Sequence, residues 1–455
     1  MNGKKVGFLK CLLFTICSVL VLDSLAPAPA RFGVRSITMW VVLALVFFIP
    51  YGLISAELGS TYPDDGGITA WVTRAYGEHL GVQTGWFYWV NVAFWMPAVF
   101  VTFAWWLSYS FFPNAPAWVM AALAVVMCWV IVAVGIGGVE LSVTVTAVAA
   151  YCKMAILLLF GALGIAYCVR FGPASDFSPA SFQLRSFGDL SSGVAVIVYN
   201  LLGFELIGSI GGQIENPGRT VPKMTVIAGF VITFLYLLGT FGILAALREV
   251  SEMDGFYDAL SQLCRVCGPA QTVVRDVLVV ATCLTMVSNM LSWTLGANES
   301  LIAASLDRRS PFLGKRSRRG TAVNLYLTMG VLSTVMLLLN FAFGSEDANA
   351  IFWDVLSFSF VIFLTPYVFL FLSAIRLRYI DPDTPRVYEV PGGLGGMWIA
   401  AGLCLLCVGT GIFFLFRDDL AAGNLFAFWV KVLGTALCVS AGELLYRSKA
   451  APEPD

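Results

Sequence analysis

Twelve apolar runs follow one another along this chain and leave little room for any other kind of structure. They cover residues 7–32, 35–58, 82–112, 115–135, 141–169, 190–213, 222–247, 270–298, 321–343, 351–376, 393–416 and 424–445. A helix needs about 20 apolar residues to cross the hydrocarbon core of a bilayer, and each run has that length. Of the 455 residues, 59% are hydrophobic and 12% charged, against about 45–50% and 25% in soluble proteins. The pattern predicts an all-α integral membrane protein of twelve transmembrane helices and excludes disorder and a soluble enzyme. A net charge of −1 gives no reason to expect a nucleic-acid partner, and a single histidine leaves little scope for metal or acid–base chemistry. No metal site and no cofactor are expected.

The connections 170–189, 248–269 and 304–320 are the longest, too short for a catalytic domain, so an enzyme is not expected. Most of the 11 cysteines lie inside apolar runs and read as small hydrophobes. Cys264/Cys267, placed in a loop, and Cys404/Cys407, within a run, lack a second pair at zinc-like spacing. An even number of spans puts both termini on one side. Of the 27 basic residues, 17 fall on the side of the termini, including the cluster from Arg308 to Arg319, and eight on the other. The positive-inside rule then makes both termini cytoplasmic, in a cell or inner membrane. Residues 1–30 also fit a signal peptide, with Lys4, Lys5 and an Ala28-Pro29-Ala30 site.

Two of the runs are interrupted. The first is apolar to Leu22 and then meets Asp23-Ser24-Leu25-Ala26-Pro27-Ala28-Pro29. Prolines lack the N–H and push the preceding residue out of helical geometry. The sixth meets Gly203-Phe204-Glu205, with Gly208, Gly211 and Gly212 beyond. Non-helical backbone at membrane depth survives only where protein or a water-filled cavity satisfies it. Paired interruptions in corresponding positions are the best sequence pointer to a transporter site. The breaks lie five runs apart, and because five is odd the second group of five must sit inverted. The expected organisation is a first repeat over 1–170, a second over 189–378, two further helices over 393–446 and a short cytoplasmic tail over 447–455.

Each break carries a carboxylate, Asp23 and Glu205. An ionised carboxylate at the bilayer centre costs about 2.5–3.5 kcal/mol on insertion scales, so it calls for a partner or a task. A pair facing one cavity attracts an ammonium group and can trade a proton. Lys153 lies midway along the fifth run, where it cannot snorkel; it reads as a fixed cation in place of a coupling ion, as a proton carrier, or as half of a structural salt bridge. Asn91, Tyr199, Asn200, Asn289, Trp293 and Tyr367 lie at a similar depth and complete the candidate pocket, with Asn289 and Trp293 one turn apart on one face. Glu57 reads as organising a gate or loop, and His79 receives no role.

Four segments give the chain a likeness: FIPYGLISAELGSTYPDDGGITAWVTRAYG (48–77), GFELIGSIGGQIENPGRTVPK (203–223), SNMLSWTLGANESL (288–301) and RVYEVPGGLGG (386–396). It resembles the amino acid–polyamine–organocation superfamily, and within it the bacterial glutamate/γ-aminobutyrate antiporters. The resemblance implies a LeuT-like 5+5 inverted repeat with broken helices 1 and 6 plus two extra helices, a broken first helix rather than a cleaved signal peptide, and a midplane site worked by alternating access. It implies that Glu205, Trp293 and Tyr367 line the path and that Lys153 takes part in proton coupling. Asn289 stands where those antiporters carry an acid, and the glycine-rich motif that holds a carboxylate at the first break is missing, with Asp23 close by instead.

The expected function is therefore a secondary carrier of an amino acid, as antiporter or proton symporter. A polyamine or amine carrier of the same fold, and a membrane sensor that binds without transporting, remain open. Substrate-binding residues are expected to be Asp23, Ser24, Leu25, Asn91, Tyr199, Asn200, Gly203, Phe204, Glu205, Asn289, Trp293 and Tyr367, with Lys153 and Glu205 coupling protons. Partners are the small-molecule substrate, the lipid bilayer and protons.

Overall fold

A computed structural model of the chain describes residues 5–184, 187–317, 320–342 and 346–448. Lys4, Arg185, Arg318, Arg319 and Lys449 of the charge count, and most of the tail, lie outside the described residues. Among the described residues ten helices are long and apolar enough to cross a membrane, and Phe8–Val19 and Val196–Ser209 are shorter apolar pieces at the two interrupted runs. In chain order the helices are α1 Phe8–Val19, α2 Pro27–Phe32, α3 Arg35–Thr61, α4 Ile68–Tyr76, α5 Glu78–Phe111, α6 Ala117–Ile136, α7 Val139–Phe171 and α8 Phe187–Asn200. They continue with α9 Pro217–Ala246, α10 Gly255–Leu263, α11 Gln271–Ala303, α12 Val323–Ala342, α13 Glu346–Ile380, α14 Gly393–Ala421 and α15 Leu425–Arg447. The connections hold more helix than the apolar pattern shows: α4, α10 with the 3-10 stretch Cys264–Ala270, and the single turns Pro179–Phe182 and Leu306–Arg309. Cys264 and Cys267 thus sit in a helical turn rather than a loop, and every cysteine is a free thiol.

The apolar surface is arranged for lipid. Phe230, Val169, Trp118 and Leu437 are more than two-thirds exposed on their helices, while polar groups such as Thr15, Asn91, Lys153 and Glu205 are buried. This inverts the pattern of a water-soluble protein. The most deeply placed elements are α1, which packs on α7 and α9, and α11, which packs on α5 and α7. Residues 8–19 therefore belong to the bundle.

Both breaks fall inside the bundle. Helix α1 ends at Leu20, which is extended at ψ 104°, and the chain re-enters helix at Pro27, where a missing N–H costs nothing. Helix α8 ends before Gly203, whose φ of +124° suits glycine and no residue with a Cβ. From there to Gln213 the backbone is short 3-10 turns. Lys5, Arg74, Arg309, Arg378 and Arg386 make one end of the bundle its basic end.

Candidate transport site

Backbone groups freed by the first break are taken up by side chains from distant helices. Lys153 of α7 donates from Nζ to the Cys17 carbonyl at 2.7 Å, to the Leu20 carbonyl, and to Asn289 Oδ1 of α11 at 3.0 Å. It is 1% exposed, so its charge is compensated by dipoles alone among these contacts. Trp293 Nε1 donates to the Ser18 carbonyl at 3.1 Å. The Tyr236 hydroxyl lies 2.6 Å from the Val19 carbonyl and 2.9 Å from the Asn200 carbonyl, and accepts the Val21 N–H at 3.1 Å. Ser24 and Asn200 join the two breaks directly: Ser24 Oγ donates to Asn200 Oδ1 at 2.5 Å, and Asn200 Nδ2 to the Ser24 carbonyl at 3.0 Å. Asp23 is left over. It is half-buried; its carboxylate takes a hydrogen bond from its own backbone N–H and faces the charge of Lys153, with no hydrogen bond from another side chain among the described residues.

The second break has the opposite arrangement. Glu205, 1% exposed, accepts from three tyrosines: Tyr51 of α3 on Oε2, and Tyr88 of α5 at 2.5 Å and Tyr367 of α13 at 2.6 Å on Oε1. The Tyr51 hydroxyl oxygen also accepts the Gly203 N–H at 3.1 Å and the Glu205 N–H at 3.4 Å. It thus replaces hydrogen bonds that the interrupted helix cannot make.

Between the breaks stands an aromatic wall. Trp293 meets Tyr88, Trp95 and Phe363 at ring distances of 6.0, 5.7 and 5.4 Å, and Tyr199 meets Trp95 and Phe363 at 6.3 and 5.1 Å. Buried polar atoms without a partner surround it: both side-chain atoms of Asn91, the Tyr199 hydroxyl and Asn289 Nδ2. Asn91 lies on the α5 face of Tyr88 and Trp95, and Asn289 one turn before Trp293. Buried polar groups are nearly always paired, so four orphans beside one wall mark a place for ligand or water. Two of the expected residues take part in helix packing. A Cβ on Gly239 of α9 would meet Leu25 at 3.0 Å, and Phe204 stacks on Phe48 of α3 at 4.5 Å. Both pack helices.

Sequence reasoning missed Tyr51, Tyr88, Trp95 and Tyr236. Tyr88 and Trp95 flank Asn91 at helical spacing, which is a usable signal. Tyr51 and Tyr236 carried none beyond a hydroxyl at membrane depth.

At the basic end the chain is closed by polar links. Glu57 of α3 receives a bidentate pair from Arg378 at 2.6 and 2.7 Å and the Val390 N–H at 2.7 Å, with Arg386 3.5 Å away. Residues 65 and 210 form an antiparallel bridge and residues 6 and 214 a parallel one, so the segment after the second break is held on both sides. Gly66 has φ +107°, and a Cβ there would lie 2.1 Å from that of Ala303, which explains the Gly-Gly pair of this turn. Beyond α13, the Thr384 hydroxyl 2.6 Å away holds Asp381 below the usual carboxylate range. His79 pairs with Glu443 at 2.7 Å near the surface. Among the described residues no group of three or more His, Cys, Asp or Glu gathers for a metal.

Known proteins share this arrangement of chain. The amino acid permease family matches residues 6–438. A probable agmatine/putrescine antiporter of Lactococcus lactis is 32% identical, over 90% of this chain and 87% of its own. A glutamate/γ-aminobutyrate antiporter of the same species is 24% identical, over 89% and 82%. The crystal structure of a manganese transporter from Eremococcus coleocola superposes with a TM-score of 0.63, covering 97% of this chain and 94% of that one at 12% identity, which speaks to the fold alone. The named relatives are transporters and not enzymes, the fold is the broken-helix one that the sequence led us to expect, and this chain belongs to the amino acid permease family of the amino acid–polyamine–organocation superfamily.

Proposed function

We propose that this protein is an antiporter for small molecules bearing a cationic amino group, amine or amino acid, and that the amino group binds on Asp23. The observation that carries this reading is the half-buried carboxylate of Asp23 at the first break, which no other side chain hydrogen-bonds and which faces Lys153, beside an aromatic wall with orphaned polar groups. A carboxylate in that setting is stabilised by an ammonium or guanidinium partner, and aromatic faces favour the same charge. The antiporter relatives support exchange. Lys153, held by three acceptors, supplies a fixed positive charge where a coupling ion would otherwise be needed. In this reading both termini are cytoplasmic, and the Glu205 tyrosines with the Glu57–Arg378 pair close the path on that side.

The test is counterflow in liposomes containing purified protein and preloaded in turn with putrescine, agmatine, arginine, a neutral amino acid and glutamate. Uptake of a labelled amine or cationic amino acid only into preloaded vesicles is the expected result. Uptake into empty vesicles driven by an inward proton gradient would make the protein a symporter. Glutamate exchange unaffected by Asp23→Asn would overturn the assignment, and binding without flux would make it a sensor.

A further inference from the structure

Two cysteine pairs have the same spacing in this chain, and the fold sets them in opposite surroundings. Cys404 and Cys407 are both buried midway along α14, a helix long enough to cross the bilayer. Cys264 and Cys267 occupy the 3-10 turn that joins α10 to α11, at the end of the bundle opposite the basic one. In a 3-10 helix the side chains three residues apart eclipse, and a rise of about 2.0 Å per residue sets their Cα atoms about 6 Å apart. Disulfides span Cα atoms about 4.4–6.8 Å apart, so this turn presents its two thiols for bridging. The thiols are close enough for charge on one to act on the other. Cys264 is fully buried, whereas Cys267 is partly exposed and can be reached from outside. Arg170, in the last turn of α7, holds the turn by its Val266 carbonyl at 3.0 Å, and Gly268, at φ +58°, ends it.

This turn is also the joint of a covering helix. Phe256 of α10 stacks on Trp106 of α5 and Phe160 of α7 at ring distances of 5.9 and 4.8 Å. A Cβ on Gly255, the first residue of α10, would lie 3.2 Å from that of Ala26 at the first break. A movement of the first break toward this end therefore displaces α10 and is taken up at the joint.

We propose that Cys264 and Cys267 are a redox-active dithiol, a modification site for low-molecular-weight disulfides, and that its closure staples the joint between α10 and α11 and slows exchange. The Cys267 thiolate attacks one sulfur of the incoming disulfide and releases one thiol; the Cys264 thiolate then attacks the Cys267 sulfur and releases the second. The protein dithiol gives up two electrons, the external disulfide takes them, and the two cysteine protons end on the released thiols. With both termini cytoplasmic, as read above, this face lies outside, where disulfides persist.

The experiment incubates purified full-length protein with oxidised or reduced glutathione, blocks the remaining thiols with N-ethylmaleimide, and follows Cys264 and Cys267 by peptide mass spectrometry. In wild type the pair should lose two hydrogens with oxidised glutathione and regain both thiols with reduced glutathione. Cys264→Ser should stop at a glutathione adduct on Cys267, and Cys267→Ser should leave the buried Cys264 unmodified. The same samples are then reconstituted, and counterflow is measured with the compound exchanged by the preloaded liposomes. Oxidation should slow wild-type turnover by roughly threefold or more, the effect of stiffening an element whose motion limits the cycle. The Cys264→Ser/Cys267→Ser variant should turn over like reduced wild type and ignore oxidation. Wild-type thiols that stay free in excess oxidised glutathione overturn the dithiol, and a disulfide that leaves turnover unchanged overturns the staple. The mass readout needs no transport, so a failure to exchange any compound of the panel counts against the carrier reading and leaves the dithiol judged on its own chemistry.

Discussion

The two breaks carry the same kind of residue in opposite circumstances. At the first, side chains satisfy the backbone and none of them hydrogen-bonds the carboxylate; at the second, three phenols converge on the carboxylate and one of them also satisfies the backbone. The difference comes from what lies across from each. Glu205 faces α3, α5 and α13, each of which presents a tyrosine. Asp23 lies opposite Lys153, whose ammonium is already engaged with the carbonyls of α1 and with Asn289. A buried acid held by three side-chain donors is structure or gate, whereas a half-buried one that no side chain hydrogen-bonds can take a ligand. Sequence position alone does not separate these roles, and mutation should.

The largest effect is expected at Lys153. Replacing it with Met strands two carbonyls and Asn289 Oδ1 in a dry interior, at about 1–3 kcal/mol for each buried group left unpaired. Exchange should vanish and the melting temperature of the detergent-solubilised protein should fall by many degrees. Near-normal stability would mean that water reaches this nest and that the first break is looser than described.

Next come the two carboxylates, and here the comparison itself is at stake. Asp23→Asn should reduce exchange by 100-fold or more while leaving the melting temperature nearly unchanged, because no described side chain loses a hydrogen bond and Lys153 keeps its three acceptors; a charge-assisted bond to a cationic cargo is worth roughly 1.5–3 kcal/mol. Glu205→Gln should also abolish exchange, and it should destabilise the fold by about 2–4 kcal/mol, since three buried phenols lose a charged acceptor. If both variants were equally stable, the cage around Glu205 would be an incidental contact. If Asp23→Asn unfolded, Asp23 would be structural.

Much of this contrast was visible in the sequence, and the part that was not has a physical reason. The twelve runs, both interruptions and the carboxylates at them follow from length, proline, glycine and charge, which act locally. Lys153 stood out because a lysine at membrane depth must have a purpose. Its three acceptors come from helices far along the chain, so neither the carbonyls of Cys17 and Leu20 nor the role of Asn289 could be read. The same holds for Tyr51 and Tyr236, which are ordinary aromatic residues until the fold brings them to a break. Leu25 and Phe204 stand beside a break in sequence, where side-chain direction is set by the irregular backbone, and the packing of Leu25 near Gly239 and of Phe204 on Phe48 and Tyr51 is not legible from their neighbours.

A smaller effect belongs to the cage. Tyr88 and Tyr367 share Oε1 of Glu205, so either Phe variant leaves that oxygen one donor. Each should cost about 1–2 kcal/mol and slow exchange several-fold, because the oxygen remains partly satisfied. The double variant should cost more than the sum, as the last donor to that oxygen goes. Additive losses in the melting temperature would show that the two hydroxyls act independently and that the cage is not one unit.

The smallest expected effect is at the only direct side-chain tie described between the breaks. Ser24 Oγ donates to Asn200 Oδ1, while Asn200 Nδ2 reaches the Ser24 carbonyl and the Val196 carbonyl. Ser24→Ala removes the first bond and leaves the other two, so Asn200 keeps its orientation and one acceptor atom goes short. At a half-buried position the cost should be near 1 kcal/mol, at the modest end for a lost hydrogen bond. Stability therefore hardly tests this link, but kinetics does. If the two breaks open as one element, loosening their tie should change the turnover of exchange by threefold or more with little change in apparent affinity. If turnover is untouched, the breaks move separately, and the contrast between a bare Asp23 and a caged Glu205 is one between two independent devices.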